Sequence, residues 1–380
     1  MAVPPRADVV VIGGGAIGVS VAFHLAEAGV QVVLLERDSL GSGSTCRSAG
    51  GVRAQFSERV NIELGLRSLE AFERFSQRPG GEIDLHQTGY LFLLDSAEAV
   101  SSFERSIELQ NALGVPSRMI DVDEARRYSP LINTDGLLAA AFSPQDGHCT
   151  PEAVVLGYAT AARRLGATLR PHCAVTGFER DEDGIRMVHT RGGNIATRSV
   201  VCAAGAWSRQ IGAWAGVELP VSPLRRQILV TERVDGLPAD LPMTIDYSSS
   251  FYFHGEGDGL LIGMSDPLEE PGFRLDRDDG WLDRLAPAVA HRAPALAEVG
   301  VRTGWAGLYE MTPDHDGLVG ADLSGLVYAT GFSGHGFLMA PALGEVVRDL
   351  CLRHDPGIDV SALSVERFAA APVRTELNLV

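Results

Sequence analysis

The sequence predicts an α/β protein of two domains, one of them a Rossmann-like nucleotide-binding unit. Three observations carry this. The chain opens on a strand, a glycine-rich turn, a helix and a second strand. It closes on another short strand that enters a second glycine-rich turn, and its 380 residues, 45% hydrophobic, suffice for a substantial core in each domain.

The opening run comes first. Val9-Val10-Val11-Ile12 reads as a buried strand, followed by Gly13-Gly14-Gly15-Ala16-Ile17-Gly18 and a helix with Ala22, Leu25 and Ala26 on it. Gly13 permits the tight turn, Gly15 lets the backbone approach a pyrophosphate, and Gly18 lets helix and strand pack closely. The second strand, Val32-Val33-Leu34-Leu35, delivers Glu36, whose carboxylate can accept hydrogen bonds from both ribose hydroxyls of an adenosine. To this point NAD and FAD both remain open. Gly41-Ser42-Gly43-Ser44-Thr45 is a second run of small residues, with Ser44 or Thr45 able to cap a helix and offer donors to phosphate. A second phosphate cradle suits a cofactor held along its whole length.

Further along, Val60 to Ser76 reads as a helix, Gly89 to Leu94 as a strand and Ala99 to Leu113 as helical, with an amphipathic helix over Val154 to Leu165. Leu169 to Thr176, Ile185 to Thr190 and Ser199 to Ala203 read as strands that return to the nucleotide domain. Between Arg225 and Gly304 the strand signals are Gln227 to Thr231 and Gly259 to Gly263, with helical pieces around Trp281 to Leu285. Leu326 to Thr330 is a strand entering Gly331, and Ala340 to Leu352 a helix. This order predicts a discontinuous nucleotide domain from residues 1–80, 150–220 and 320–380, and a substrate domain from 81–149 and 221–319.

Composition narrows the function classes. A net charge of −17 argues against nucleic acid and anionic membranes as partners. No apolar run approaches the roughly 20 residues needed to span a bilayer, and Met1 to Arg6 is too short for a signal sequence, so a cytoplasmic protein is expected. The five cysteines, Cys46, Cys149, Cys173, Cys202 and Cys351, show no metal-ligand spacing and read as reduced. All 32 basic residues are arginine, so Schiff-base chemistry and a lysine base are excluded.

Several separate motifs then fall in one order: Ser44-Thr45-Cys46-Arg47-Ser48-Ala49-Gly50-Gly51, Gln87-Thr88-Gly89-Tyr90-Leu91-Phe92, Ala203-Ala204-Gly205-Ala206-Trp207, Thr303-Gly304-Trp305-Ala306-Gly307 with Thr312-Pro313-Asp314, and Gly331-Phe332-Ser333-Gly334-His335-Gly336-Phe337. In these the chain resembles the D-amino-acid-oxidase-like FAD oxidoreductases, within them the branch of sarcosine oxidase, dimethylglycine dehydrogenase and the β subunit of dye-linked L-proline dehydrogenase. The resemblance covers nearly the whole length. It implies a mainly antiparallel-sheet substrate domain beside the Rossmann-like FAD-binding domain, as in the glutathione-reductase-type flavoprotein fold. It also implies FAD along Gly13, Gly15, Ala16, Ile17, Gly18, Glu36, Arg37, Ser44, Thr45, Gly50, Gly51, Val175, Ala204, Gly205 and Trp207, and at Gly334, His335, Gly336, Phe337 and Leu338. The last five start a helix whose macrodipole favours the anionic pyrimidine edge of reduced flavin.

The activity implied is oxidation of the C–N bond of a small, secondary amino acid such as proline or sarcosine, by hydride transfer to flavin N5, giving an imine. D-amino acid or glycine oxidation on the same fold, and an FAD-carrying subunit of a multi-subunit dehydrogenase, are the alternatives. Arg53 matches the arginine that binds the substrate carboxylate, and Tyr252 an active-site tyrosine; Tyr309 and Arg302 are weaker candidates. Positions where relatives bond flavin covalently are Arg47 and Gly307 here, so FAD is expected to be non-covalent. The lysine that promotes oxygen reactivity in monomeric sarcosine oxidase aligns with Leu261, which points to a dye, quinone or protein partner rather than oxygen as the efficient electron acceptor.

Overall fold

Long apolar strands buried on both faces are the signature of a parallel sheet covered on two sides. In the computed structural model, which describes residues 3–369 and 376–377, Val9–Ile12, Val32–Leu35 and Leu326–Thr330 are such strands, buried at every position. The ends of the expected segments 1–80 and 320–380 lie outside the described residues. The six-stranded sheet runs Leu318–Ala321, Leu326–Thr330, Ser199–Cys202, Val9–Ile12, Val32–Leu35, Thr168–Arg170. All neighbours are parallel except the edge strand Leu318–Ala321, which is antiparallel to Leu326–Thr330.

Side chains alternate along each strand, so the two faces have separate cores. Val9 and Val11 pack with residues of the helices Ala16–Glu27, Pro151–Arg164 and Gly336–Leu352. Val10 and Ile12 face a three-stranded antiparallel sheet, Val175–Asp181, Gly184–Thr190 and Gly193–Ala196, through Ile185, Val188 and Ile195. The expected strand Leu169 to Thr176 is therefore two strands in two sheets. The chain leaves the first at Arg170 and turns at His172, where φ is +55°. Val175 then begins the other sheet. Likewise the last helix begins at Gly336, not Ala340. Backbone donors in a helix's first turn have no intrahelical partner, so a glycine start costs no hydrogen bond.

The second large sheet has eight strands. Three come from residues 90–143 and five from 222–311, and every pairing is antiparallel except Met243–Asp246 with Tyr90–Leu94. That one parallel pair is where the two chain segments meet. Helix Ala97–Ala112 backs it on one side through Phe103 and Ile107, and Leu282–Arg292 packs in a second cluster through Leu285 and Val289. Among the described residues no helix is long and apolar enough to cross a membrane, and no cluster of three or more His, Cys, Asp or Glu side chains is arranged for a metal. The five cysteines are free thiols.

One ion pair ties this sheet to its helix. Arg292 ends the helix Leu282–Arg292 and donates from Nε to Asp246 Oδ1 at 2.9 Å, with side-chain exposures of 1% and 3%. Its Nη1 also donates to the Asn133 carbonyl at 2.7 Å. Removing one member of a buried pair strands the other charge, at a cost of roughly 3–5 kcal/mol. Arg292→Met should lower the unfolding midpoint by several degrees in a thermal scan. Arg292→Met combined with Asp246→Asn should recover part of that loss.

Candidate active site

In open parallel sheets, ligands bind beyond the carboxyl ends of the strands. Here a cavity of about 590 Å³ starts at Ile12, Leu35, Ala203 and Ala329, at or near those ends, and runs to the eight-stranded sheet at Arg226, Tyr252 and Tyr309. Its volume lies within the roughly 300–1,000 Å³ typical of cofactor and ligand sites. Every residue expected to hold the cofactor lines it except Gly18.

Gly13 has φ +112°, and a Cβ there would lie 2.1 Å from the Ala203 carbonyl oxygen. Only glycine fits that turn. A Cβ on Gly18 would lie 1.9 Å from the Gly13 oxygen, so Gly18 serves the helix–strand approach from behind the cavity. Glu36 accepts from the amide of Gly14 at 2.7 Å and, with its other oxygen, from that of Asp38 at 2.7 Å. Both bonds aim the carboxylate at the turn and leave it lone pairs for a ribose. Arg37 lies over the Trp207 ring at 4.4 Å, and Trp207 stacks on Phe273 at 5.3 Å. Thr45 Oγ1 accepts from the amide of Ala16 at 3.1 Å, bringing the two small-residue runs together.

Helices Ala16–Glu27 and Gly336–Leu352 both start at this cavity; neither N-cap residue, Gly15 or His335, bonds the first turn through its side chain, although Thr45 takes the amide of Ala16. Two sets of backbone amides are thus available to anionic groups of a ligand. Gly51 is needed for a different reason: a Cβ there would sit 1.8 Å from the Tyr90 hydroxyl. Glycines that hold the groove open, two helix starts facing the cavity and an acidic residue at the second strand's end fit FAD.

A family model described as FAD dependent oxidoreductase matches residues 8–350. The chain belongs to this FAD-dependent oxidoreductase family. Among its relatives, dimethylglycine dehydrogenase of Rattus norvegicus is 31% identical over 386 residues, 96% of this chain but 45% of that protein. The chain therefore spans less than half the length of that relative. FAD-dependent oxidoreductase domain-containing protein 1 of Xenopus laevis is 32% identical over 432 residues, 99% of this chain and 85% of its own length. Of solved structures, L-proline dehydrogenase from P. horikoshii superposes with a TM-score of 0.91 at 35% identity, covering 97% of this chain and 99% of that one. Glycine oxidase from Geobacillus kaustophilus gives 0.85 at 27%, covering 96% and 99%.

At the far end of this oxidoreductase's cavity, Arg53 is buried, with its guanidinium 4.1 Å from the Phe56 ring centre and 5.6 Å from that of Phe92. It donates to the Gln55 carbonyl and meets His335 Nε2 at 3.2 Å. Because a guanidinium only donates, Nε2 is the acceptor and the imidazole carries its proton on Nδ1. Burial, and then the charges of Arg53 and His315, hold the His335 pKa well below its ordinary value. His335 is thus a neutral support for Arg53.

Tyr252 lines the cavity from the strand Phe251–Glu256, its ring lying over Gly263 of the neighbouring strand. Leu261 does not: the strand Gly259–Met264 offers Met264 to the cavity and keeps Leu261 in the buried sheet. Arg302 also lies outside the cavity, paired with Asp258 at 2.6 Å. Tyr309 lines it.

Sequence reasoning missed Tyr90, Arg226 and Glu310. Glu310 lines the cavity, accepts from Thr330 Oγ1 at 2.8 Å and is bonded by the backbone at Gly331 and Phe332, while burial raises its pKa. Its signal was its place between the two stretches singled out above, Thr303 to Gly307 and Thr312 to Asp314. Arg47 and Gly307 are neighbours: a Cβ on Gly307 would lie 3.0 Å from that of Arg47. Neither is a nucleophile. FAD should therefore leave the protein on acid precipitation, with the yellow colour in the supernatant; a coloured pellet would contradict non-covalent binding.

The neutrality of His335 has a pH signature. Its folded pKa is lowered, so its contribution to stability is complete above about 6.5, the unfolded value, and is lost as pH falls below it. Relative to His335→Gln, the wild type should lose up to about 1.4 kcal/mol per pH unit on acidification below that point, read by denaturant melts at several pH values.

Proposed function

We propose that this chain oxidises the C–N bond of a small amino acid, with a secondary amine such as proline or sarcosine as substrate. One observation carries the reading. The cavity that begins at the nucleotide fingerprint ends in a chamber lined by two guanidiniums, Arg53 and Arg226, and three tyrosines, Tyr90, Tyr252 and Tyr309. A chamber of that kind suits a ligand with a carboxylate and a compact apolar body. The relatives' names agree in chemistry: dimethylglycine dehydrogenase, sarcosine dehydrogenase and L-proline dehydrogenase.

Bound FAD supplies the oxidation by accepting a hydride. The chain's own residues supply orientation and charge. The guanidiniums balance the carboxylate, the tyrosines wall the chamber, and the helix start at Gly336 places amides toward negative charge. Among the described residues lining the cavity, no side chain is poised as a base. His335 Nε2 is occupied by Arg53, Glu310 is held by three donors, and the cavity's other carboxylates, Glu36 and Asp38, belong to the nucleotide turn. The amine therefore binds as the neutral base. We further propose that the FAD-binding segments are 1–80, 150–220 and 320–380, with the substrate sheet from the insertions between them.

The absence of lysine supports a dehydrogenase that passes electrons to a dye, quinone or protein partner. Anaerobic titration of the purified yellow protein should bleach it with proline or sarcosine. The reduced protein should then reoxidise far faster with an artificial dye than in air-saturated buffer. Rapid, stoichiometric peroxide formation would make it an oxidase instead, and a protein that no amino acid bleaches would end the amine reading.

A further inference from the structure

Adjacent residues on one strand have opposite surroundings. Arg225 and Arg226 sit on Ser222–Thr231, so their side chains leave opposite faces of the sheet. Arg225 is neutralised by Glu269 at 2.8 Å, Asp276 at 3.2 Å and Asp278 at 3.2 Å. Arg226, on the cavity face, forms no ion pair among the described residues. Its Nη1 donates to the Arg225 carbonyl at 3.2 Å, while its Nε is shielded from solvent without any acceptor. No hydrogen bond among the described residues involves Nη2. The Nε–Nη2 edge, one of the two edges by which a guanidinium grips a carboxylate with paired bonds, is uncommitted.

Register explains how Arg226 reaches the cavity. It pairs with Gly307 on Val301–Met311, so the space beside it carries no side chain, and Tyr309, two residues on, shares its face. The guanidinium lies 5.2 Å from the centre of the Tyr309 ring. Arg225, Arg292 and Arg367, buried or half-buried, each meet a carboxylate, and Arg47 and Arg67 each meet two backbone carbonyls. A guanidinium without a carboxylate, withdrawn from water, is an unfavourable charge that a bound anion would relieve.

Resting on the amine-oxidation reading, we infer that Arg226 is the specificity-determining residue that binds the substrate's carboxylate. The carboxylate grip thus lies on the antiparallel sheet rather than on the loop after the phosphate cradle. Arg226 selects amino acids over the corresponding amines.

The test compares the FAD-loaded wild type, Arg226→Gln and Arg226→Lys in anaerobic flavin reduction by proline and by pyrrolidine, which differ only in the carboxylate. Arg226→Gln should lose about 100-fold in the second-order rate with proline, the usual scale of a lost charge-assisted pair, with pyrrolidine little changed. Arg226→Lys should recover part of the loss. Acetate, titrated against the flavin absorption spectrum, should bind the wild type and not Arg226→Gln. Equal losses with proline and pyrrolidine, or unchanged acetate binding, would overturn the assignment. If no amine reduces the wild type, the amine reading fails, and the acetate titration still decides whether Arg226 holds a carboxylate.

Discussion

The cavity depends on a seam. Ser44 Oγ donates to the Leu308 carbonyl at 2.6 Å, Arg47 Nη1 to the Ala306 carbonyl at 2.8 Å, and Trp305 Nε1 returns a bond to the Arg47 carbonyl at 3.0 Å. These three bonds join the small-residue loop after the second parallel strand to the edge strand of the eight-stranded sheet. With them in place, amides at the start of Ala16–Glu27 and side chains of the antiparallel sheet face one space. Separate sheets would each present only half of it. The loop's polar side chains thus hold the two sheets together, which is why a stretch read as a phosphate cradle serves structure as well.

Charge inside the cavity follows from arginine being the sole strong base. Burial lowers the pKa of both Arg53 and Arg226, yet a guanidinium starts so high that it remains charged, where an ammonium in the same place would readily lose its proton. Two permanent cations therefore face the chamber. Tyrosine hydroxyls resist ionisation there, since burial pushes Tyr90, Tyr252 and Tyr309 above their ordinary values. The guanidiniums and the tyrosines thus keep their charge across the ordinary pH range, while burial raises the carboxyls of Glu310 and of Asp146, the latter to about 7.

The nucleotide half was legible because its signals are local. Gly13, Gly15 and Glu36 obey spacings set by one turn and two strands, and the apolar strands announce a covered parallel sheet. The substrate half was less legible because it depends on register between strands far apart in sequence. Arg226 reaches the cavity only because it pairs with Gly307, and Leu261 stays away from it only because of where Gly259–Met264 lies against its neighbours. Gly307 is far from Arg226 in sequence, and Leu261, although a hairpin joins it to His254, also pairs with the distant Val230. Tyr90 is a similar case, since its role comes from the bare backbone of Gly51 that its hydroxyl meets. The split of Leu169 to Thr176 did have a local signal, Pro171, which cannot donate to a strand ladder and stands beside the turn at His172, a residue in the left-handed region without being glycine.

Gly307 links two of these features. Cross-strand neighbours on one face of a sheet share space, so a side chain at 307 would stand beside Arg226 and against Arg47. With glycine there, the guanidinium of Arg226 has room to extend over Tyr309. The same bare position offers no nucleophile, and neither does Arg47, which is engaged by two carbonyls. What the chain offers to a cofactor at this cavity is then the glycine turns, Glu36 and the two helix starts, all set by the sheet.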